Sequence, residues 1–241
     1  MCGRINLSQS PLVQQLLSHF GLDPTGYPQQ AKWNIAPSDP VQVLARLDGA
    51  EPTLLPMKWW LVPHWNKSDK PAFSTFNARS ESAAKSRAFA RPLKKQRAIV
   101  PIHSFIEWQT ERGSKQPWGI LDEGQEQSSE GQALAAIWEC WQGSLYSFAI
   151  LTQAADTDFQ SIHDRMPIWL AEEHWDAWLN PDINGASLLP EVCTYRPALR
   201  LVPLDQSVNN SRNKDKPRQE PRLDKTSLPT AGLKTNLESG D

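Results

Sequence analysis

The chain opens Met1-Cys2-Gly3-Arg4. Methionine aminopeptidases remove an initial methionine when the next side chain is small, as cysteine is. The mature chain would then begin with a residue carrying both a free α-amine and a thiol. This 1,2-aminothiol has a reactivity that no internal cysteine offers. Its amine attacks an aldehyde to give an imine and water, and its thiol then closes a thiazolidine ring. An α-amine titrates near ~7.7, so much of it is unprotonated and nucleophilic at neutral pH. The same terminal cysteine, with the amine as its own base, would equally serve an amidohydrolase or peptidase. A cysteine filling position 2 by chance is the third reading, and the residue alone does not separate the three.

Three further segments set polar groups among rigid or apolar neighbours. They are Phe76-Asn77-Ala78-Arg79-Ser80-Glu81, Ser104-Phe105-Ile106-Glu107-Trp108 and Ile162-His163-Asp164-Arg165-Met166-Pro167. Glu107, between Ile106 and Trp108, is either a desolvated acid suited to proton transfer or the polar side of an alternating strand. His163 is either a proton shuttle or a structural histidine. Asn77 either orients the Cys2 amine or makes a turn. Arg4, Arg79 and Arg165 are each a phosphate clamp or a surface ion pair. Each segment with a reactive or polar group also carries one arginine, and that coincidence favours a common site.

These groups need a frame. Apolar spacing predicts a helix over Leu12 to Phe20, started by Ser10-Pro11. Strands are expected at Val41 to Leu47 and Thr53 to Trp60, joined by Asp48-Gly49, and at Ala98 to Pro101 and Phe105 to Gln109. Trp118 to Leu121 and Ala133 to Trp141 read as strands around a polar loop, Asp122 to Gln132. Leu145 to Thr152 is the clearest strand. Further helices are expected at Glu81 to Phe89, capped by Ser80 and with Pro92 near its end, and at Ala171 to Leu179. Strands in runs with a few helices between them imply an α+β fold.

A chain of 241 residues, 39% hydrophobic and 22% charged, can bury a substantial core as one domain. No apolar run approaches the ~18 residues of a membrane span, so no membrane partner is expected. With no export signal the expected location is the cytoplasm, at the nucleoid in a bacterium. Three widely spaced cysteines make neither a disulfide framework nor a metal motif. The five histidines have no ligand spacing, so neither metal nor cofactor is expected. A net charge of −2 counts against a general nucleic-acid binder. A basic run from Lys85 to Arg97, with no acid in it, leaves open a solvated helix face or a local basic groove. From Ser211 to Asp241 the chain is polar and lacks aromatic residues, which predicts a disordered tail after a domain spanning residues 1–210.

The motifs fit one family. The chain resembles the SRAP domain proteins, which recognise abasic sites in DNA and crosslink to them. The resemblance rests on Met1-Cys2-Gly3-Arg4, Trp33-Asn34-Ile35-Ala36-Pro37, Trp60-Leu61-Val62-Pro63-His64-Trp65 and Asn77-Ala78-Arg79-Ser80-Glu81. It continues through Arg97-Ala98-Ile99-Val100-Pro101, Phe105-Ile106-Glu107-Trp108, Ile137-Trp138-Glu139, Phe148-Ala149-Ile150-Leu151-Thr152, Ile162-His163-Asp164-Arg165-Met166-Pro167 and Val208-Asn209-Asn210. These run in order over nearly the whole folded part. Departures at Ile102-His103-Ser104, Ile106, Ala136 and Leu204-Asp205 remove no chemical group.

The resemblance implies a single SRAP-type domain whose mainly antiparallel twisted sheets form a barrel-like core with flanking helices. It implies a thiazolidine crosslink between Cys2 and the aldehyde of a ring-opened abasic site in single-stranded DNA, with strand cleavage by β-elimination as a competing path. Glu107 would assist ring opening and proton transfer, His163 would stabilise the sugar oxygen, and Asn77 would hold Cys2. Arg4, Arg79 and Arg165 would grip phosphates. Trp108, Trp65 and Pro37 would offer flat surfaces to exposed bases. A monomer is expected, with the replication machinery as a possible protein partner and an autopeptidase removing Met1 as the rival activity.

Overall fold

The computed structural model describes residues 2–47, 50–111, 113–123 and 131–220. In chain order its elements are β1 (Arg4–Leu7), α1 (Pro11–His19), β2 (Lys32–Ile35), β3 (Pro40–Ala45), β4 (Thr53–Trp59), β5 (Asn77–Arg79), α2 (Ser80–Ala83) and α3 (Ala90–Lys95). There follow β6 (Arg97–Ile102), β7 (Ser104–Glu111), β8 (Ser114–Asp122), β9 (Gln132–Trp141), β10 (Leu145–Ala154), β11 (Arg165–Pro167), α4 (Trp175–Leu179), α5 (Gly185–Val192) and β12 (Leu199–Pro203). The fold is α+β, as expected.

One sheet has the order β12-β8-β7-β1-β2, antiparallel throughout. The other closes on itself. β10 pairs with β4, β4 with β3, β3 with β6, β6 with β9, and β9 returns to β10. β5 and β11 extend this ring along the C-terminal half of β10, one on each side. The pairings of β10 with β4 and β5 are parallel and the rest antiparallel.

The sequence explains why β9 and β10 sit at the centre. Their side chains alternate faces, and both faces are apolar. In β9, Leu134, Ala136 and Trp138 join the core shared with the five-stranded sheet, while Ala133, Ala135 and Ile137 pack beneath the helices. Helix α1 starts at Pro11, with Ser10 Oγ accepting from Val13 N, and buries Val13, Leu16 and Leu17. Among the described residues no helix is long and apolar enough to cross a membrane.

Three local expectations are corrected. The single helix from Glu81 to Phe89 is instead α2, a turn, and then α3. Ser86 Oγ accepts from Ala88 N and so competes with helix propagation, while Pro92 fits the first turn of a new helix. Ser80 is not the cap, because Arg79 holds the extended cap position and Ser80 is already helical. The helix expected from Ala171 begins with a 3₁₀ turn over Glu172–His174 before α4.

The segment 211–220 is packed against the domain. Asn34 Nδ2 donates to the carbonyls of Val208, Asn210 and Asn213 at 3.2, 3.0 and 2.9 Å. Lys214 Nζ donates to Asn34 O at 3.0 Å and Asp39 Oδ2 at 2.7 Å. Asn34 takes φ +50°, a left-handed conformation that Asn tolerates better than most residues. The remainder of the expected tail, 221–241, and most of the expected polar loop, 124–130, lie outside the described residues.

Candidate functional site

Cys2 is fully buried in the core cluster that joins the two sheets. Its carbonyl oxygen accepts a 2.8 Å hydrogen bond from Asn77 Nδ2. Asn77 opens β5, opposite Ile150 of β10, so the central strand sets its height. Its Oδ1 is buried and has no partner among the described residues.

Glu107 approaches from the other sheet. β1 and β7 pair with Arg4 opposite Ile106 and Ile5 opposite Phe105. Strand alternation turns Phe105 and Glu107 to the face of β7 opposite the one shared by Ile106 and Trp108. Phe105 belongs to the core cluster that holds Cys2, whereas Ile106 and Trp108 pack with Val202, Leu204 and Val208. Glu107 is thus a buried acid, only 3% exposed. Burial first, and the Glu107 charge second, push the Cys2 thiol well above its ordinary value. Burial thus favours the neutral form of the Cys2 thiol.

Arg4 and Trp108 lie on the opposite face of the five-stranded sheet. The Arg4 guanidinium stands 5.5 Å from the Trp108 ring centroid, and Trp108 Nε1 donates to Asn209 Oδ1. Partial burial lowers the Arg4 pKa, and the Asp39 charge opposes that shift. Asp39 ends a tight turn whose Asp39 N–H donates to Ala36 O at 3.0 Å. Pro37 fixes the second residue of the turn, and Ser38 takes the third at φ +83°. Ser38 N donates to Trp59 O at 2.8 Å, which seats the turn on the end of β4.

The β10 end of the site carries Arg79, Arg165 and His163. Arg79 is exposed at the end of β5, opposite Thr152. Arg165 pairs across β11 with Ala154. Its guanidinium donates to both oxygens of Glu81, at 2.8 and 2.9 Å, and to Thr152 O at 2.9 Å. That fork holds the Glu81 carboxyl down at about 2. A phosphate would have to displace Glu81 to reach the Arg165 guanidinium. His163 is partly exposed, and its Nδ1 lies 2.9 Å from Arg165 N and 2.7 Å from Asp164 Oδ1. These partners make opposite demands on one nitrogen. The main-chain N–H can only donate, which leaves the ring hydrogen on Nε2 in the neutral form.

Trp65 is not an open platform. Arg87 covers its ring at 4.2 Å, and Phe73 stacks at 6.3 Å. Trp60, which sequence reasoning passed over, lines a cavity of about 500 Å³ with Ser38, Lys58 and Lys70, next to the Pro37 turn. Its cue was the pair Trp59-Trp60 at the end of a strand: alternation buries one indole and leaves the other at the surface. The basic run from Lys85 is neither of the expected alternatives as a unit. Arg91 pairs with the buried Glu139 at 2.6 Å, and the buried Arg97 donates to the carbonyls of Trp178 and Lys94. Among the described residues no group of three His, Cys, Asp or Glu is placed to hold a metal.

The family model and the curated relatives agree on one family. The model of the family described as SOS response associated peptidase (SRAP) matches residues 1–211. The chain is 35% identical over 224 residues to the abasic site processing protein YoaM of Bacillus subtilis, covering 88% of this chain and 95% of that one. It is 32% identical over 192 residues to the abasic site processing protein HMCES of Gallus gallus, covering 69% and 56%. A crystal structure of a protein from Bordetella bronchiseptica superposes with a TM-score of 0.67 at 20% identity, covering 85% of this chain and all of that one (100%). A second, from Bacteroides thetaiotaomicron, superposes at 0.64 with 21% identity, covering 84% and 92%. These two show the shared fold.

Proposed function

Since the chain belongs to the SRAP family, we propose that it processes abasic sites in single-stranded DNA by forming a thiazolidine crosslink through Cys2. Loss of Met1 frees the Cys2 amine. The amine attacks C1′ of the ring-opened sugar, and water leaves to give an imine. The Cys2 sulfur then adds to the imine carbon while the thiol proton passes to the imine nitrogen. No oxidant or reductant enters, and the ring closes in competition with β-elimination.

The observation that carries this reading is the complete burial of Cys2 between the two sheets, with its carbonyl held by Asn77 Nδ2 and the Glu107 charge acting on its thiol. A cysteine hydrolase works through a thiolate, which needs a lowered thiol pKa. Here the pKa is raised, which suits a sequence in which the amine attacks first and the thiol follows. Asn77 Oδ1 is available to accept from the freed amine. Glu107 relays protons in the two additions, and His163 Nε2–H donates to the sugar oxygen. Arg4 and Arg79 meet the flanking phosphates. Arg165 acts through Glu81 to fix α2 against β10. Trp108, Pro37 and Trp60 offer stacking surfaces, each worth roughly 1–3 kcal/mol per base and indifferent to sequence.

The test is incubation of purified protein with a single-stranded oligonucleotide bearing one abasic site. A denaturation-resistant adduct, absent with Cys2→Ala, is expected. No adduct from protein shown by mass to lack Met1 would overturn the reading and bring the peptidase forward.

A further inference from the structure

We propose that a cleft on the outer face of the five-stranded sheet binds a phosphate-bearing nucleotide unit. The cavity, of about 270 Å³, is floored by Ser104, Gly119 and Val202. Arg200, Lys216 and His103 line it, and among the described residues no Asp or Glu does. In a chain whose net charge is −2, that is a local concentration of one sign. Neither Arg200 nor Lys216 has an ion-pair partner among the described residues. Such a concave cationic site attracts an anion.

The aromatic wall is Trp33. Lys216 Nζ stands 5.6 Å from its ring centroid, and the His103 ring meets it edge-on at 5.7 Å. Burial first, then the charges of Lys216 and Arg200, lower the His103 pKa, and all three residues line the cleft. An arginine fork and a lysine match phosphate oxygens, and an indole matches a nucleobase. Lys216 belongs to the segment 211–220, which Asn34 and Asp39 pin to the domain, so the cation is held at the cleft.

The cleft continues the candidate site. Asn6 lines it, and Asn6 lies two residues along β1 from Arg4, which is about 7 Å on the same face of the strand. A strand gripped at Arg4 reaches it within a nucleotide or two. This occupant rests on the DNA reading above; a free mononucleotide is the other source of the same chemistry.

The experiment compares wild-type protein with the surface variant R200E/K216E, with folding checked by circular dichroism. Anisotropy measures binding of an unmodified trinucleotide and a pentadecanucleotide across salt, and the His103 ring resonances report binding of thymidine monophosphate. For a strand occupant, the variant loses roughly tenfold in pentadecanucleotide affinity and about two from the salt slope, one per phosphate contact, and the trinucleotide, long enough to span from Arg4 to the cleft, weakens in the same direction. A His103 response to the mononucleotide in the wild type only, with pentadecanucleotide binding unchanged, assigns the cleft to free nucleotide. Equal behaviour of both proteins toward every ligand overturns the cleft. Failure of the wild type to bind any oligonucleotide, with the mononucleotide still shifting His103, overturns the DNA reading and leaves the cleft standing.

Discussion

The Asn77 amide reaches across 75 positions of sequence to hold the Cys2 carbonyl at 2.8 Å. One hydrogen bond thus ties the first residues of the chain to the strand beside β10. Replacing Asn77 by Ala leaves a buried carbonyl without its donor, a cost of about 1–3 kcal/mol. The initial rate of adduct formation on an abasic oligonucleotide is expected to fall about tenfold to a hundredfold. A rate equal to wild type would remove Asn77 from the mechanism.

Cys2→Ala separates the two steps of the proposed reaction. The amine remains and the thiol is gone. Borohydride is expected to trap an imine with this variant, no adduct should survive without the reductant, and strand cleavage should rise above wild type. Denaturing gels read all three.

Glu107→Gln gives a signed test of the Cys2 environment. The Glu107 charge raises the Cys2 thiol pKa, second to burial. Removing it lowers that pKa, so the pH profile of Cys2 alkylation by a small reagent moves to lower pH. Adduct formation should nonetheless slow, because the proton relay is lost. An unmoved alkylation profile would show that Glu107 does not act on the thiol.

The Glu81–Arg165 fork predicts an acid-labile contribution to stability. Glu81 titrates at about 2 when folded, against an ordinary value of 4.5. The depressed value means that the stabilisation is complete above the ordinary value and is lost as pH falls toward about 2. The difference in urea stability between wild type and Glu81→Gln should be constant above that window and shrink within it. A difference that does not vary with pH would contradict the ion pair.

Asn34→Ala removes the donor to three carbonyls at a left-handed residue. Trypsin cleavage after Arg212 and Lys214 is expected to accelerate, with a stability loss of about 1–3 kcal/mol. Asn34→Gly keeps the backbone conformation, so its stability loss should be smaller while the cleavage remains fast. Unchanged cleavage in both variants would show that Asn34 does not hold the segment.

Sequence reading succeeded where burial is continuous. The apolar run of β10 and the capped, amphipathic α1 announced themselves. β1, with four residues, and β12, with alternating exposure, carried too little pattern. Gly185 and Pro190 disguised α5. The residues with chemical promise were legible as types, but their commitments were not. Nothing local pairs Arg165 with Glu81 across 84 positions, or covers Trp65 with Arg87. The packing of residues 211–220 was equally hidden, because it rests on polar contacts with distant residues, Asn34 and Asp39 among them, and not on apolar burial.

The enclosure of Cys2 also has a consequence in time. Its contacts come from β5, β7 and the core that β10 completes, so a residue placed before β1 is enclosed only once strands far along the chain have formed. Until residues of β10 and β11 have been synthesised, the amino terminus has no pocket to enter. An aminopeptidase acting on the nascent chain therefore meets an open peptide bond, whereas one arriving after folding meets a buried Cys2. The loss of Met1 that the proposed chemistry requires is therefore easiest on a chain that has not yet folded.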